Sequence, residues 1–214
     1  MAGKFITFEG GEGAGKSTQI RLLADRLTAR GETVVVTREP GGTPTAEAIR
    51  RVLLSGVAEQ LGPDGEATLF AAARADHVDR VIAPALRDGK WVLSDRFFDS
   101  TRVYQGFAGG ADAKLLTALE GAAVDGTRPD LTIIIDVPPA IGLTRAAGRA
   151  GAAGDPDRFE RDDIALHEQR RQAFLAIARS EPQRCVVIDG TESAATTSEA
   201  IWQAVAARLL ERAA

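Results

Sequence analysis

A glycine-rich turn between a strand-like run and a helical run, close to the start of the chain, restricts the fold more than any other feature. It reads Gly10-Gly11-Glu12-Gly13-Ala14-Gly15-Lys16-Ser17, a G-x-x-x-x-G-K-S pattern, and Thr18 follows it. Phe5-Ile6-Thr7-Phe8 before it is apolar and strand-like, and the apolar residues from Ile20 to Leu27 recur at helical spacing. Strand, turn and helix thus arrive in the order that a phosphate cradle requires. The glycines let successive backbone N–H groups point inward, and the helix adds the positive end of its dipole. Lys16 can reach the outer phosphates, and Ser17 can place a hydroxyl on Mg²⁺. The segment from Gly10 to Thr18 is therefore expected to bind a nucleoside triphosphate with Mg²⁺.

Further apolar runs alternate with helical patterns. Phe5–Phe8, Thr33–Thr37, Trp91–Ser94, Leu131–Ile135 and Cys185–Ile188 read as strands. Helices are expected near 16–29, 44–55, 66–87, 112–124, 139–149, 160–179 and 194–212. Buried strands separated by helices predict a three-layer α/β fold with a five-stranded parallel sheet. The whole chain, 1–214, reads as one phosphate-loop domain. A helical region over about 38–90 and a lid over about 145–160 are grafted onto the sheet. Small residues from Gly148 to Asp155, ended by Pro156, make the lid the expected mobile loop, and Gly106–Gly110 is a second glycine-rich turn.

Charge narrows the partners. A formal net charge of −4 excludes a broad electrostatic surface for nucleic acid or membrane. Arginines nonetheless outnumber lysines 22 to 4, so local phosphate-binding forks can exist on an acidic protein. Cys185 is the only cysteine and sits before Val186-Val187-Ile188, which reads as a buried thiol. A lone cysteine, no signal-peptide core and no run of about 20 apolar residues fit a cytoplasmic protein. His77 and His167 are too few for a histidine metal site and read as helix-surface residues.

Ligands of open α/β sheets bind beyond the carboxyl ends of strands. Glu9, Arg38-Glu39, Asp95-Arg96, Asp136 and Asp189 fall there. Asp95, on the strand Trp91-Val92-Leu93-Ser94, is suited to hold Mg²⁺ with Ser17, and Arg96 to clamp a phosphate. The competing reading is an ion pair on the sheet rim.

Several segments then carry a resemblance. Phe5 to Thr18 is similar to the opening of bacterial thymidylate kinases, and Thr37-Arg38-Glu39-Pro40-Gly41-Gly42-Thr43 resembles their second motif. Leu69-Phe70-Ala71-Ala72-Ala73-Arg74 resembles the third. Asp95-Arg96-(x3)-Ser100-(x3)-Tyr104-Gln105-Gly106 resembles the fourth. Arg128-Pro129-Asp130 and Asp157-Arg158-Phe159-Glu160 match later ones. The likeness spans nearly the whole chain in order. It implies transfer of the γ-phosphoryl of ATP to thymidine monophosphate (dTMP), with Mg²⁺, in dTTP synthesis, by a homodimer. The acceptor phosphate has a second pKa near 6, so its oxygen is already nucleophilic at neutral pH and no general base is needed. Cations and positioning suffice.

By the family pattern, Phe70 stacks on the base and Arg74 meets its polar edge, although an aromatic on so alanine-rich a helix otherwise reads as core. Arg50 and Arg96 hold the acceptor phosphate, and Lys16 and Arg96 assist transfer. Thr101 and Gln105 face the base or sugar, and Tyr104 crowds the sugar 2′ position. Glu12 approaches the 3′-hydroxyl and Glu39 lies near the acceptor. Some relatives carry an arginine where this chain has Gly13; here Arg149 or Arg158, in the lid, would close on the phosphoryl group, and Arg145 would flank the adenine. Arg161 belongs to the same basic stretch, whose plain reading is a helix face paired with Glu160, Asp162 and Asp163. Two rivals remain at this point. One is a related small-molecule kinase, either a deoxynucleoside kinase, which must deprotonate a hydroxyl and could use Glu39 as its base, or another nucleotide kinase. A phosphate-loop switch ATPase would hydrolyse without an acceptor.

Overall fold

The computed structural model describes residues 3–153, 159 and 162–210, with residues 149–153 as backbone only. Five parallel strands form one sheet: β1 (Lys4–Glu9), β2 (Val34–Arg38), β3 (Trp91–Asp95), β4 (Leu131–Asp136) and β5 (Cys185–Asp189), in the order β2-β3-β1-β4-β5. The register pairs Phe8 with Asp95 across β1 and β3, and Glu9 with Ile134 across β1 and β4. The central strand therefore delivers the glycine turn to the point where the strand order reverses, which is where such sheets bind ligands.

Alternate residues of the strands feed three apolar clusters, one of them built on Ile134 and Cys185 against Tyr104 and Phe174. Ile6 and Phe8 of β1 join Leu93 and Ile133 against Ile20, Leu23 and Leu27 of α1 (Lys16–Ala29). Ile201 and Trp202 of α9 (Ala194–Val205) complete that side. On the other face Phe5 and Val92 pack with Phe97, Phe98, Val78 and Ile82. Thr7 and Thr132, buried side by side on the same strands, satisfy each other through a 2.8 Å hydroxyl bond.

The remaining helices are α2 (Pro44–Leu54), α3 (Gly62–His77), α4 (Ala83–Arg87), α5 (Phe98–Thr101), α6 (Ala113–Val124), α7 (Pro139–Ala153) and α8 (Ile164–Ser180). Helices α3 and α4 are joined without a break by a π-helical turn, Val78–Ile82. The observed start at Gly62 precedes the expected one because Pro63 is pre-set for a first helical turn. Asp163 accepts the Leu166 N–H and caps α8, which fixes its start after the expected position 160. The segment after β3, expected as a motif ending in a glycine-rich turn over 106–110, is helical from Phe98 to Ala108, where α5 runs into a π-helical stretch, Arg102–Ala108, and only Gly109 and Gly110 of that turn lie beyond it. Beyond α9 a π-helical turn carries the chain to Leu210, and the expected end at 212 lies outside the described residues. No helix among the described residues is long and apolar enough to cross a membrane.

Candidate active site

The turn between β1 and α1 is built to receive an anion. Gly15 precedes α1 with φ of 95°, and no side chain caps this helix. Its leading N–H groups are left for a ligand. Helices α2, α6, α8 and α9, by contrast, begin on capping side chains of Thr43, Asp112, Asp163 and Ser193. Lys16 folds back and donates from Nζ to the carbonyls of Gly10 (3.1 Å) and Gly11 (2.9 Å). Burial, then the neighbouring Arg96, lower its pKa. The same backbone meets α7 at close range. A side chain on Gly13 would drive into the Gly142 carbonyl, and one on Gly142 into the carbonyl of Glu12.

At the end of β3, Asp95 accepts a 2.7 Å hydrogen bond from the Ser17 hydroxyl. Arg96 has φ of 70°, a left-handed conformation unusual outside glycine. Its partners hold it there. One guanidinium nitrogen donates to Ser100 Oγ (3.1 Å) and the Gly10 carbonyl (3.3 Å), and the other to Glu12 Oε1 (2.6 Å). The Tyr104 hydroxyl donates to the same Glu12 oxygen at 2.8 Å. Burial pushes the Glu12 carboxyl upward, but Arg96 and Lys16 outweigh it and hold it at about 2. Burial, with a contribution from Asp99, pushes Glu9 the other way, up to about 7. Glu9 accepts from the Phe97 N–H (2.8 Å) and Ser100 Oγ (2.6 Å), tying the Asp95-Arg96 corner to β1.

Across the opening, Glu39 and Arg74 form a buried pair, Arg74 Nε to Glu39 Oε2 at 2.7 Å. Arg74 Nη2 donates to Thr101 Oγ1 at 3.0 Å. Gln105 donates to Glu66 at 3.3 Å, and Arg50 to the Pro40 carbonyl at 2.8 Å. The Glu39–Pro40 peptide bond is cis. These groups surround a cavity of about 250 Å³. Its lining contains all nine acceptor candidates, namely Glu12, Glu39, Arg50, Phe70, Arg74, Arg96, Thr101, Tyr104 and Gln105. It also contains Gly13, Ala14, Gly15, Lys16, Ser17 and Asp95. Gly10, Gly11 and Thr18 do not line it.

Other sequence candidates sit apart. Arg145 lies on α7 and donates to the carbonyls of Gly190 (2.7 Å) and Thr191 (3.3 Å), beyond the end of β5. The expected lid at 145–160 falls partly on α7. The Arg149 side chain, Arg158 and Arg161 lie outside the described residues. Asp136 is held by Arg171 through two bonds of 2.6 and 2.9 Å, and Asp189 by Thr191, so neither strand end contributes to the cavity.

Both histidines correct the sequence reading. His77 is fully buried, bonded to Thr37 Oγ1 at 2.7 Å and Glu39 Oε1 at 3.0 Å. His167 is also buried, beside Arg170, whose guanidinium lies 4.5 Å over the Tyr104 ring. Burial, then Arg170, lower the His167 pKa. A histidine on a helix looks polar in sequence; partners supplied by a distant segment take His77 inside, whereas His167 is buried with its Nε2 unpartnered among the described residues. Arg38, Ser100 and Phe159 line the cavity and belong to recognised motif pieces, whereas Leu54 carried no signal. Cys185 is buried as expected.

Known proteins are similar to this chain. The family model described as thymidylate kinase matches residues 8–201. A thymidylate kinase of Bradyrhizobium sp. (strain ORS 278) is 56% identical over 207 residues, spanning 97% of this chain and 91% of the relative. One from Nitrobacter winogradskyi is 57% identical over 208 residues, spanning 97% and 90%. The crystal structure of thymidylate kinase from Ehrlichia chaffeensis superposes with a TM-score of 0.77 at 33% identity, covering 96% of this chain and 100% of that one. The chain belongs to the thymidylate kinase family.

Proposed function

We propose that this chain transfers the γ-phosphoryl group of ATP to dTMP, giving ADP and thymidine diphosphate. One observation carries the reading: a single cavity joins the glycine turn to Phe70, Arg74, Arg96 and Tyr104. An aromatic wall, a guanidinium and a phosphate cradle in one cavity suit a nucleotide set end to end with a triphosphate. The α1 N-terminus and Lys16 take the ATP phosphates, and Thr18 continues that cradle along α1. Arg145, beside the β5 end, flanks the adenine. Arg50 and Arg96 take the acceptor phosphate, and Arg74 with Thr101 and Gln105 the base. Arg149 and Arg158 are the proposed sources of the further charge that closes on the transferring group.

The Ser17 hydroxyl and Asp95 carboxylate offer hard oxygen donors 2.7 Å apart at the mouth of the cradle. That donor set fits Mg²⁺, which keeps several waters and takes one or two carboxylates. When bound, the ion neutralises phosphate charge. The protein's own part is alignment. Lys16 and Arg96 offset the repulsion between two anionic nucleotides, and Glu12 with Tyr104 fixes Arg96 toward the loop.

Glu39, the base that a nucleoside kinase would need, has one carboxylate oxygen on Arg74 and the other on His77. It is buried and committed, which speaks against the nucleoside-kinase reading. The resemblance further implies a cytoplasmic homodimer. Coupled measurement of ADP release tests the function. Release should depend on dTMP and be absent with thymidine; turnover on thymidine alone, or release without any acceptor, would overturn it.

A further inference from the structure

His77 is the one fully buried imidazole beside the acceptor cavity, and it touches nothing in it. It ends α3, and its ring joins two segments far apart in sequence. Nε2 meets Thr37 Oγ1 at the end of β2, and Nδ1 meets Glu39 Oε1 on the following loop. The fit is close: a side chain on Gly42 would collide with the ring and with Thr37. The neighbouring Asp76 accepts a hydrogen bond from Thr43, so the loop is held to α3 at adjacent positions.

The chemistry of the contact is directional. Paired with Arg74, Glu39 is a carboxylate and can only accept. Nδ1 must therefore carry the hydrogen it shares with Oε1. The other oxygen, Oε2, accepts from Arg74 Nε at 2.7 Å. A glutamate's terminal torsion is broad, so one anchor leaves the carboxylate plane free to turn. Two anchors on its two oxygens fix that plane. Arg74 is fixed in turn, between Glu39 on Nε and Thr101 on Nη2, with its guanidinium 5.4 Å over the Phe97 ring.

We propose that His77 is a positioning residue for acceptor recognition, acting through Glu39 to aim the Arg74 guanidinium into the cavity. The inference rests on the assignment of this cavity to dTMP. Selectivity for the base then depends on a side chain that touches no nucleotide.

Steady-state kinetics with dTMP and ATP varied separately test it on the full chain. His77→Leu should raise the KM for dTMP about tenfold, ~1.4 kcal/mol, while the KM for ATP stays within about twofold. His77→Asn places an amide N–H near the former Nδ1 and should restore most of the loss. In a Glu39→Gln background, His77→Leu should add nothing further, since both changes act on one contact. Parallel rises in both KM values, equal behaviour of the Leu and Asn variants, or additive losses would overturn the proposal. His77→Gln, whose amide lies near the former Nε2 and Thr37 but not Glu39, covers the case in which His77→Leu does not fold: a selective rise in the dTMP KM supports the inference, and an unchanged value overturns it. A wild-type chain that ignores dTMP overturns the functional reading and this inference together. Normal wild-type kinetics with unselective variants overturns this inference alone.

Discussion

Glu12 and Arg96 meet at 2.6 Å, one in the glycine turn and the other, in a left-handed conformation, just after β3. The contact joins the two motifs that flank the central strand pair. It lies within a group in which Tyr104 shares the same Glu12 oxygen and Ser100 supports the guanidinium. The arginine assigned to the acceptor phosphate is thus aimed by the loop assigned to the donor.

Lys16→Ala tests the cradle. The lysine's bonds are to carbonyls of its own turn, so its loss should leave the circular dichroism spectrum unchanged. It should lower kcat by about 10²-fold or more, because a charge that offsets phosphate repulsion is gone. A near-normal kcat would refute the assigned role.

Arg74→Ala should raise the KM for dTMP far more than that for ATP. It also leaves Glu39 buried beside His77 without a cation. Breaking a buried pair costs about 3 kcal/mol or more, so urea titration should show a loss of stability alongside the binding defect. Equal effects on the two KM values would move Arg74 out of the acceptor site.

Two carboxylates predict opposite pH dependences. Glu12 is held at about 2 against an ordinary 4.5, so its share of stability is present above pH 4.5 and is lost as pH falls toward 2. Glu9 is raised to about 7, so its share is full below pH 4.5 and declines as pH rises through 7. Urea midpoints of Glu9→Gln and wild type should therefore diverge between pH 4.5 and 7, with the variant gaining by at most about 3 kcal/mol. Parallel curves would remove Glu9 as the source.

Burial, not distance, should decide the worth of ion pairs. Arg184 Nη1 to Asp99 and Arg26 to Glu199 are both 2.6 Å. Asp99 is fully buried and also meets Arg102 at 3.3 Å, while Arg26 and Glu199 are open to water. Asp99→Ala should cost about 3 kcal/mol in denaturant titration, and Glu199→Ala should not change the midpoint measurably. A silent Asp99→Ala would contradict the burial argument.

The sheet was legible because strands covered on both faces are written as continuous apolar runs, and each of the five was expected within a residue or two of its bounds. The glycine turn was legible because its backbone conformations demand glycine at fixed places. The helical character of 98–108 was not. Its aromatic and polar residues follow no simple apolar period, and its π-helical stretch departs from the spacing that such a pattern tests. The burial of His77 was hidden for a different reason. The groups that satisfy it come from β2 and the loop after it, so nothing near position 77 announces them. The acceptor residues were named through the family resemblance; their individual chemistry alone would have left Phe70 in the core and Arg50 in solvent.

The seam where Gly13 and Gly142 pass backbone to backbone has an evolutionary consequence. Relatives of the type with an arginine at the Gly13 position cannot be reached from this chain by one substitution, since even a methyl group has no room there. Helix α7 would have to retreat first. The two ways of supplying a transfer arginine, from the turn or from the proposed Arg149 and Arg158, are therefore separated by a paired change, and a lineage that has adopted one is sterically discouraged from drifting to the other.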